Sequence, residues 1–146
     1  ARNIVCMATS SCIGKVTAEK PGQFFGYRIR IENRNDPSAS DTTVQLLGRT
    51  WDIYNARKEK VSYIHAPQGG AVGHHPVLHP GECFEYMSGT DLNTMHGTMC
   101  GYFNMALVKK GTSYGQVGDS LDAFDLAEEF IFKLPVEPFQ LAATNA

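Results

Sequence analysis

Within Gln23–Asn33 the chain alternates from Phe25 to Glu32. Phe25, Tyr27, Ile29 and Ile31 are apolar, and the intervening Gly26, Arg28, Arg30 and Glu32 are not. Period two sends successive side chains to opposite faces of an extended strand, whereas one face of a helix requires a period near 3.6. A strand with one apolar face must bury it against a second layer. This segment therefore predicts a sheet covered on one side.

The rest of the chain repeats the pattern in short pieces. Its 14 Gly and 7 Pro cut it into segments of strand length. Thr43–Tyr54 carries Leu47, Trp51 and Ile53 in phase, and Val61–His65 returns after the charged turn Asn55–Lys60. Glu82–Ser88 places Phe84 and Tyr86 on one side. Gly97–Lys109 carries Met99, Gly101, Phe103, Met105 and Leu107 in phase. Phe130–Leu134 alternates again before Pro135 and Pro138. Ile4–Ala8 and Ile13–Val16 supply one or two more strands. One segment departs from this. In Asp119–Phe130, Leu121, Phe124, Ala127 and Phe130 recur at three-residue steps behind a capping Asp119 or Ser120, which predicts a short helix. The expected fold class is all-β: an immunoglobulin- or fibronectin-III-like antiparallel sandwich of seven or eight strands with a short helical insertion near the C-terminus.

Composition narrows the function. At 146 residues the chain is one domain's worth. A formal charge of −2 argues against a broadly basic nucleic-acid surface, and Asp36, Asp41, Glu32 and Glu59 dilute the basic side chains Arg28, Arg30, Arg34 and Arg57–Lys60. No apolar run approaches the roughly 20 residues of a membrane helix. The start, Ala1-Arg2-Asn3, has no initiator Met, as a processed or trimmed N-terminus would, and it lacks the order of a secretory signal. Four Cys without a CxxC pair, and no Asn-x-Ser/Thr acceptor, point to an intracellular or organellar compartment with free thiols, mostly buried. Pairing of Cys6 with Cys12 remains open, conditional on two adjacent strands bringing them together.

Five blocks, in order, resemble the ApaG domain family, which includes F-box-associated and polymerase delta-interacting members. They are Phe25-x-Tyr27-x-Ile29-x-Ile31-x-Asn33, then Val44-Gln45-Leu46-Leu47-x-Arg49-x-Trp51. The central block is Gly70-x-Val72-Gly73-x-x-Pro76-Val77-Leu78-x-Pro80-Gly81-Glu82-x-Phe84-Glu85-Tyr86-x-Ser88-Gly89. Met99-x-Gly101-x-Phe103-x-Met105 follows. The last is Phe130-x-Phe132-x-Leu134-Pro135 with Pro138-Phe139-x-Leu141. The resemblance implies one domain over residues 1–146: a core of about 20–142, an N-terminal extension 1–19 and the insertion at about 112–129. It implies a sandwich with binding as the common theme and no established catalysis. Val136-Glu137 reads as a small insertion against the family pattern. The family's mitochondrial precedent makes an accessory subunit of a larger assembly, in a mitochondrion, the expected setting.

Bacterial members carry Gly-x-Gly-x-x-Gly in the central loop. The matching positions here are Gln68, Gly70 and Gly73, with Gly69 beside the lost first glycine. Two readings stand: a tight connection needing positive φ, or a phosphate cradle at Gly69, Gly70 and Gly73 serving a small-ligand sensor. Pro67–Gly81 has no Lys or Arg to assist the second. Of His65, His74, His75 and His79, His75 and His79 share a face if the chain there is extended while His74 points to the other, and no His-x-x-x-His lies on a helix, so no metal site is expected. Cys83 with a histidine, or Ser88 with Asp91, lacks an orienting third group. Glu82 and Glu85 fall on opposite strand faces, so no enzyme is expected. Trp51 reads as core; Arg49 shares its phase, and because a buried Arg would need a carboxylate partner, Arg49 is expected near the sheet end. The expected function is therefore a non-catalytic protein-interaction module without a cofactor, its partner a protein. Exposed loops and the insertion are its candidate surfaces. Leu121, Phe124 and Leu126 exceed what a solvated hairpin needs and are the candidate partner contacts.

Overall fold

A computed structural model describes residues 3–15, 22–39, 42–108 and 131–143. The strands are β1 (Ile4–Lys15), β2 (Gln23–Asn33), β3 (Val44–Asn55), β4 (Lys60–Ala66), β5 (Val77–Leu78), β6 (Cys83–Leu92), β7 (His96–Leu107) and β8 (Ile131–Ala142). They form two antiparallel sheets. One has the order β1-β2-β6; the other has β4-β3-β7-β8, with β5 also on β3. The all-β sandwich is as expected. The predicted helix, and Leu121, Phe124 and Leu126 with it, lie outside the described residues.

The alternating faces meet in one core. Phe25, Tyr27, Ile29 and Ile31 from β2 are buried against Val44, Leu46, Trp51 and Ile53 from β3 and Met99, Phe103 and Met105 from β7. Trp51 is fully buried. Its ring stands edge-on to Phe103 at 5.5 Å between centroids, and Tyr27 and Phe139 close its other sides. Such aromatic contacts add about 0.5–1.5 kcal/mol each beyond area burial.

Several boundaries differ from the sequence reading, each for a physical reason. Trp51 and Ile53 share their face with Val44 and Leu46, not with Leu47. A bulge between Leu46 and Gly48 flips Leu47 to the other face, where it joins Ala106, Val108 and Ile131. The N-terminus is a single 12-residue strand, bulged at Ile13, that pairs along all of β2. Strand β6 runs on past Ser88 to Leu92, because the Phe24 ring covers bare Gly89: a Cβ there would meet Phe24 Cζ at 2.6 Å. Strand β8 continues through Pro135 and Pro138. It is a sheet edge among the described residues, so its missing N–H groups need face no neighbour, and a bulge just after Val136 sets Glu137 and Pro138 opposite Cys100.

Candidate interaction surface and the glycine loop

The loop from Pro67 to Pro76 leaves β4 and closes the sandwich between β3 and β6. Gly70 has φ +65° and Gly73 +78°, conformations that glycine adopts without strain. A Cβ on Gly70 would meet His74 O at 2.2 Å. Four of the loop's amides, those of Gly69, Gly70, Ala71 and His74, are already in use. Gly69 N donates to Ala66 O at 3.1 Å and Gly70 N to Leu47 O at 2.8 Å. Ala71 and His74 exchange both their backbone bonds at 2.9 Å. Ala71 is fully buried in the core, and the His74 ring lies against Phe84. Gly73, by contrast, is exposed, with open space around it.

Arg49 does the clasping, which the sequence reading missed. Its guanidinium Nη1 donates to Gly70 O at 2.7 Å, from a half-buried position on β3. Arg49 lies in the middle of β3 and not at the sheet end, and its partner is a backbone carbonyl 21 residues along the chain. The buried hydroxyl of Tyr86 lies within the field of the Arg49 charge, and burial pushes this phenol above its usual range. The buried Trp51 indole N–H sits beside that hydroxyl without a well-formed hydrogen bond to it. On the far side of the loop, His75 Nε2 lies 2.9 Å from Gln68 O and Gln45 Nε2 donates to His75 O.

The other histidines serve separate local contacts. His65 Nδ1 is 3.4 Å from Thr50 Oγ1, and His79 Nδ1 is 2.7 Å from Glu82 Oε1 across the Pro80-Gly81 turn. His79 also donates its backbone N–H to Glu82, and this bond, with the imidazole contact, holds the Glu82 carboxyl below its ordinary range. Among the described residues no group of three or more His, Cys, Asp or Glu converges as a metal site would require. Cys6 and Cys12 lie on the same strand, six residues and so about 20 Å apart, which excludes a bond between them. All four cysteines are free. Cys83 is exposed, and burial pushes the Cys6 thiol up to about 12.

Among the described residues, nothing packs on the outer face of β1-β2-β6. Strand register arrays it in rows. Thr9, Arg28 and Met87 lie side by side, and the next row is Ser11, Gly26 and Gly89. That second row has almost no side chains. Ile13 and Phe24 therefore lie flat over it, Ile13 Cδ1 standing 3.0 Å from where a Gly26 Cβ would be. The result is an apolar shelf of Ile13, Phe24 and Met87, with Met7 beyond. These four make half of the exposed large apolar side chains among the described residues. Beside the shelf runs a charged ladder. Arg28 pairs with Glu85 at 2.9 Å, Glu85 with Arg30 at 3.2 Å, Arg30 with Glu32 at 2.7 Å and Glu32 with Arg34 at 2.7 Å. The bonds from Arg30, then Arg34, hold the Glu32 carboxyl below its usual value. The ladder ends over a crevice of about 380 Å³ lined by Arg30, Arg34, Asn35, Pro37, Glu82 and Cys83. The sequence reading took the arginines as a diluted basic patch; pairing with Glu85, 55 residues from Arg30, makes them an alternating array.

Comparison with known proteins gives a consistent result. The ApaG domain model matches residues 15–107. Protein ApaG of Beijerinckia indica is 41% identical over 92 residues, covering 63% of this chain and 65% of that protein. Human F-box only protein 3 is 37% identical over 99 residues, covering 68% of this chain and 20% of that protein. This chain thus spans under two thirds of the bacterial relative and a fifth of the F-box protein. A Bordetella pertussis crystal structure described as ApaA superimposes with a TM-score of 0.71 at 23% identity, covering 99% of this chain and 96% of that one, a likeness of fold.

Proposed function

Because the chain belongs to the ApaG domain family, we propose that it is a non-catalytic protein-interaction module whose partner docks on the outer face of β1-β2-β6. One observation carries this reading: the shelf of Ile13, Phe24 and Met87 lies bare beside an arginine-ended ion-pair ladder. Exposed apolar area rimmed by charge is the usual composition of a docking surface, and exposed Met adapts to varied partners. Three guanidinium groups share two carboxylates, and Arg28 and Arg34 have one each. The complementary surface therefore brings apolar side chains to the shelf and a carboxylate to Arg28. A family member that is part of an F-box protein supports a role in protein assembly. An accessory-subunit role, and a mitochondrial setting for it, are the finer form of the same proposal and rest on family resemblance alone.

The test compares native mass in cell extract for the wild type and for an Ile13→Ser, Met87→Ser double variant at the two most exposed side chains of the shelf. The expected result is a species well above 16.0 kDa that the double variant loses while keeping its melting temperature. A wild type migrating at its own monomer mass overturns the reading. So does an assembly that survives the double variant and falls apart instead on Leu121→Ala with Phe124→Ala.

A further inference from the structure

On β2, the central strand of the smaller sheet, Gly26 stands directly opposite Gly89 of β6, so two neighbouring side chains are missing from the outer face. The two glycines differ. Gly89 is accounted for by the Phe24 ring that lies where its Cβ would be. Gly26 has no such reason. Its φ is not positive, so no turn requires it. A Cβ there would press on Ile13 Cδ1 at 3.0 Å, the movable tip of an exposed side chain, and on no backbone atom nearer than 3.9 Å. Glycine inside a strand weakens it, and it recurs where another molecule approaches the backbone closely.

Beside Gly26 the face dips into a slot of about 230 Å³ whose walls include Thr9, Ser11, Arg28 and Met87. That is below the ~300 Å³ at which pockets for whole small molecules begin, so the slot suits a single side chain. Its chemistry selects which one. Bare backbone at Gly26 gives a flat floor. The Met87 thioether and the Arg28 guanidinium lie 3.7 Å apart along one wall. Sulfur and guanidinium both favour an aromatic ring over an aliphatic one. Arg28 keeps Glu85 at its edge, at 2.9 Å, which leaves its planar face for stacking. Thr9 and Ser11 bring hydroxyls from β1, which suit a polar tip on that ring.

We propose that this slot is the anchor point of the outer face and takes a tyrosine side chain of the partner protein. The inference rests on the docking reading above and supplies its centre. Aromatic anchors seated in small pockets carry much of the energy of protein interfaces, and the surrounding shelf and charged ladder then serve to exclude water.

The probe is p-cresol, the side chain of tyrosine, titrated into the isolated protein and followed by amide NMR. Saturable shifts should centre on Ser11, Gly26 and Arg28, with a dissociation constant on the order of 1–10 mM. Cyclohexanol, a ring with a hydroxyl but no π face, should bind roughly fivefold more weakly. Gly26→Ala raises the floor against the tip of Ile13 and should weaken p-cresol about tenfold, the amide spectrum elsewhere staying unchanged. Arg28→Ala, at an exposed position, should weaken it roughly fivefold without touching the floor. No saturable shift up to about 30 mM, cyclohexanol or methyl glucoside binding as tightly, or Gly26→Ala titrating like the wild type would each overturn the slot. In cell extract Gly26→Ala should dissolve the same assembly as Ile13→Ser with Met87→Ser. An assembly lost in that double variant but kept by Gly26→Ala overturns the tyrosine anchor and leaves the docking face standing.

Discussion

Replacing Arg49 by Met tests whether the glycine loop is clasped as described. Met keeps most of the aliphatic stem and removes the donor that reaches Gly70 O at 2.7 Å. A hydrogen bond from a charged donor is worth about 1.5–3 kcal/mol net. Arg49 is half-buried, so water competes and the lower end applies, ~1.5 kcal/mol. At roughly 3 °C per kcal/mol for a domain near this size, the melting temperature should fall by about 5 °C. The loss should be local. Gly70 N, bonded to Leu47 O, and the reciprocal Ala71 and His74 amides should exchange with deuterium about tenfold faster, while β2 and β7 amides follow only the small global change. Arg49→Lys should fall between, since its single ammonium cannot reproduce the planar fork. Hydrogen exchange by NMR alongside thermal melts reads both effects. A melting temperature moved by less than about 1 °C, or loop amides no faster than the core, refutes the clasp.

Gly101→Ala should destabilise by more than ~3 kcal/mol, because its Cβ would stand 1.9 Å from the backbone oxygen of Thr50 and the strands must part; urea denaturation reads this, and a cost under about 1 kcal/mol would contradict the close approach. The Glu32 carboxyl titrates below its ordinary 4.5 when folded, so its contribution is present above that pH and is lost as pH falls through the lower folded value. Glu32→Gln should therefore flatten the acid limb of a stability-versus-pH curve below about pH 5 and leave its shape at neutral pH unchanged. In the native protein a thiol reagent near pH 8 should label Cys83 first and Cys6 last, given exposure of the one and a pKa pushed to about 12 for the other; denatured, non-reduced protein should titrate four thiols, and two would mean a bond the strand geometry forbids.

The legible part of the fold was whatever repeats at short range. The strands over Gln23–Asn33 and Thr43–Tyr54 were placed within a residue of β2 and β3, because pleat and burial impose period two on the residues themselves. What the pattern could not carry was pairing. Leu47 looked in phase with Trp51 because the bulge at Leu47 arises where β3 meets β7. The reading of β8 stopped at Leu134 because a proline ends a strand unless that strand is an edge, and edge status belongs to the sheet. The candidate surface was less legible still. Its parts, Ile13, Phe24, Arg28, Glu85 and Met87, come from three strands and become a surface only in register.

Alternation, turn residues and the ordered ApaG blocks were determined by the sequence alone: extended chain, an apolar inner layer, and family membership. The tertiary structure alone decided which strands pair, that Arg49 meets a loop carbonyl, and that Cys6 and Cys12 are held apart on one strand. The division has one cause. Side-chain alternation is a property of neighbours along the chain, whereas register, bulges and the unequal count of three strands against five arise only when distant segments share hydrogen bonds and a common core.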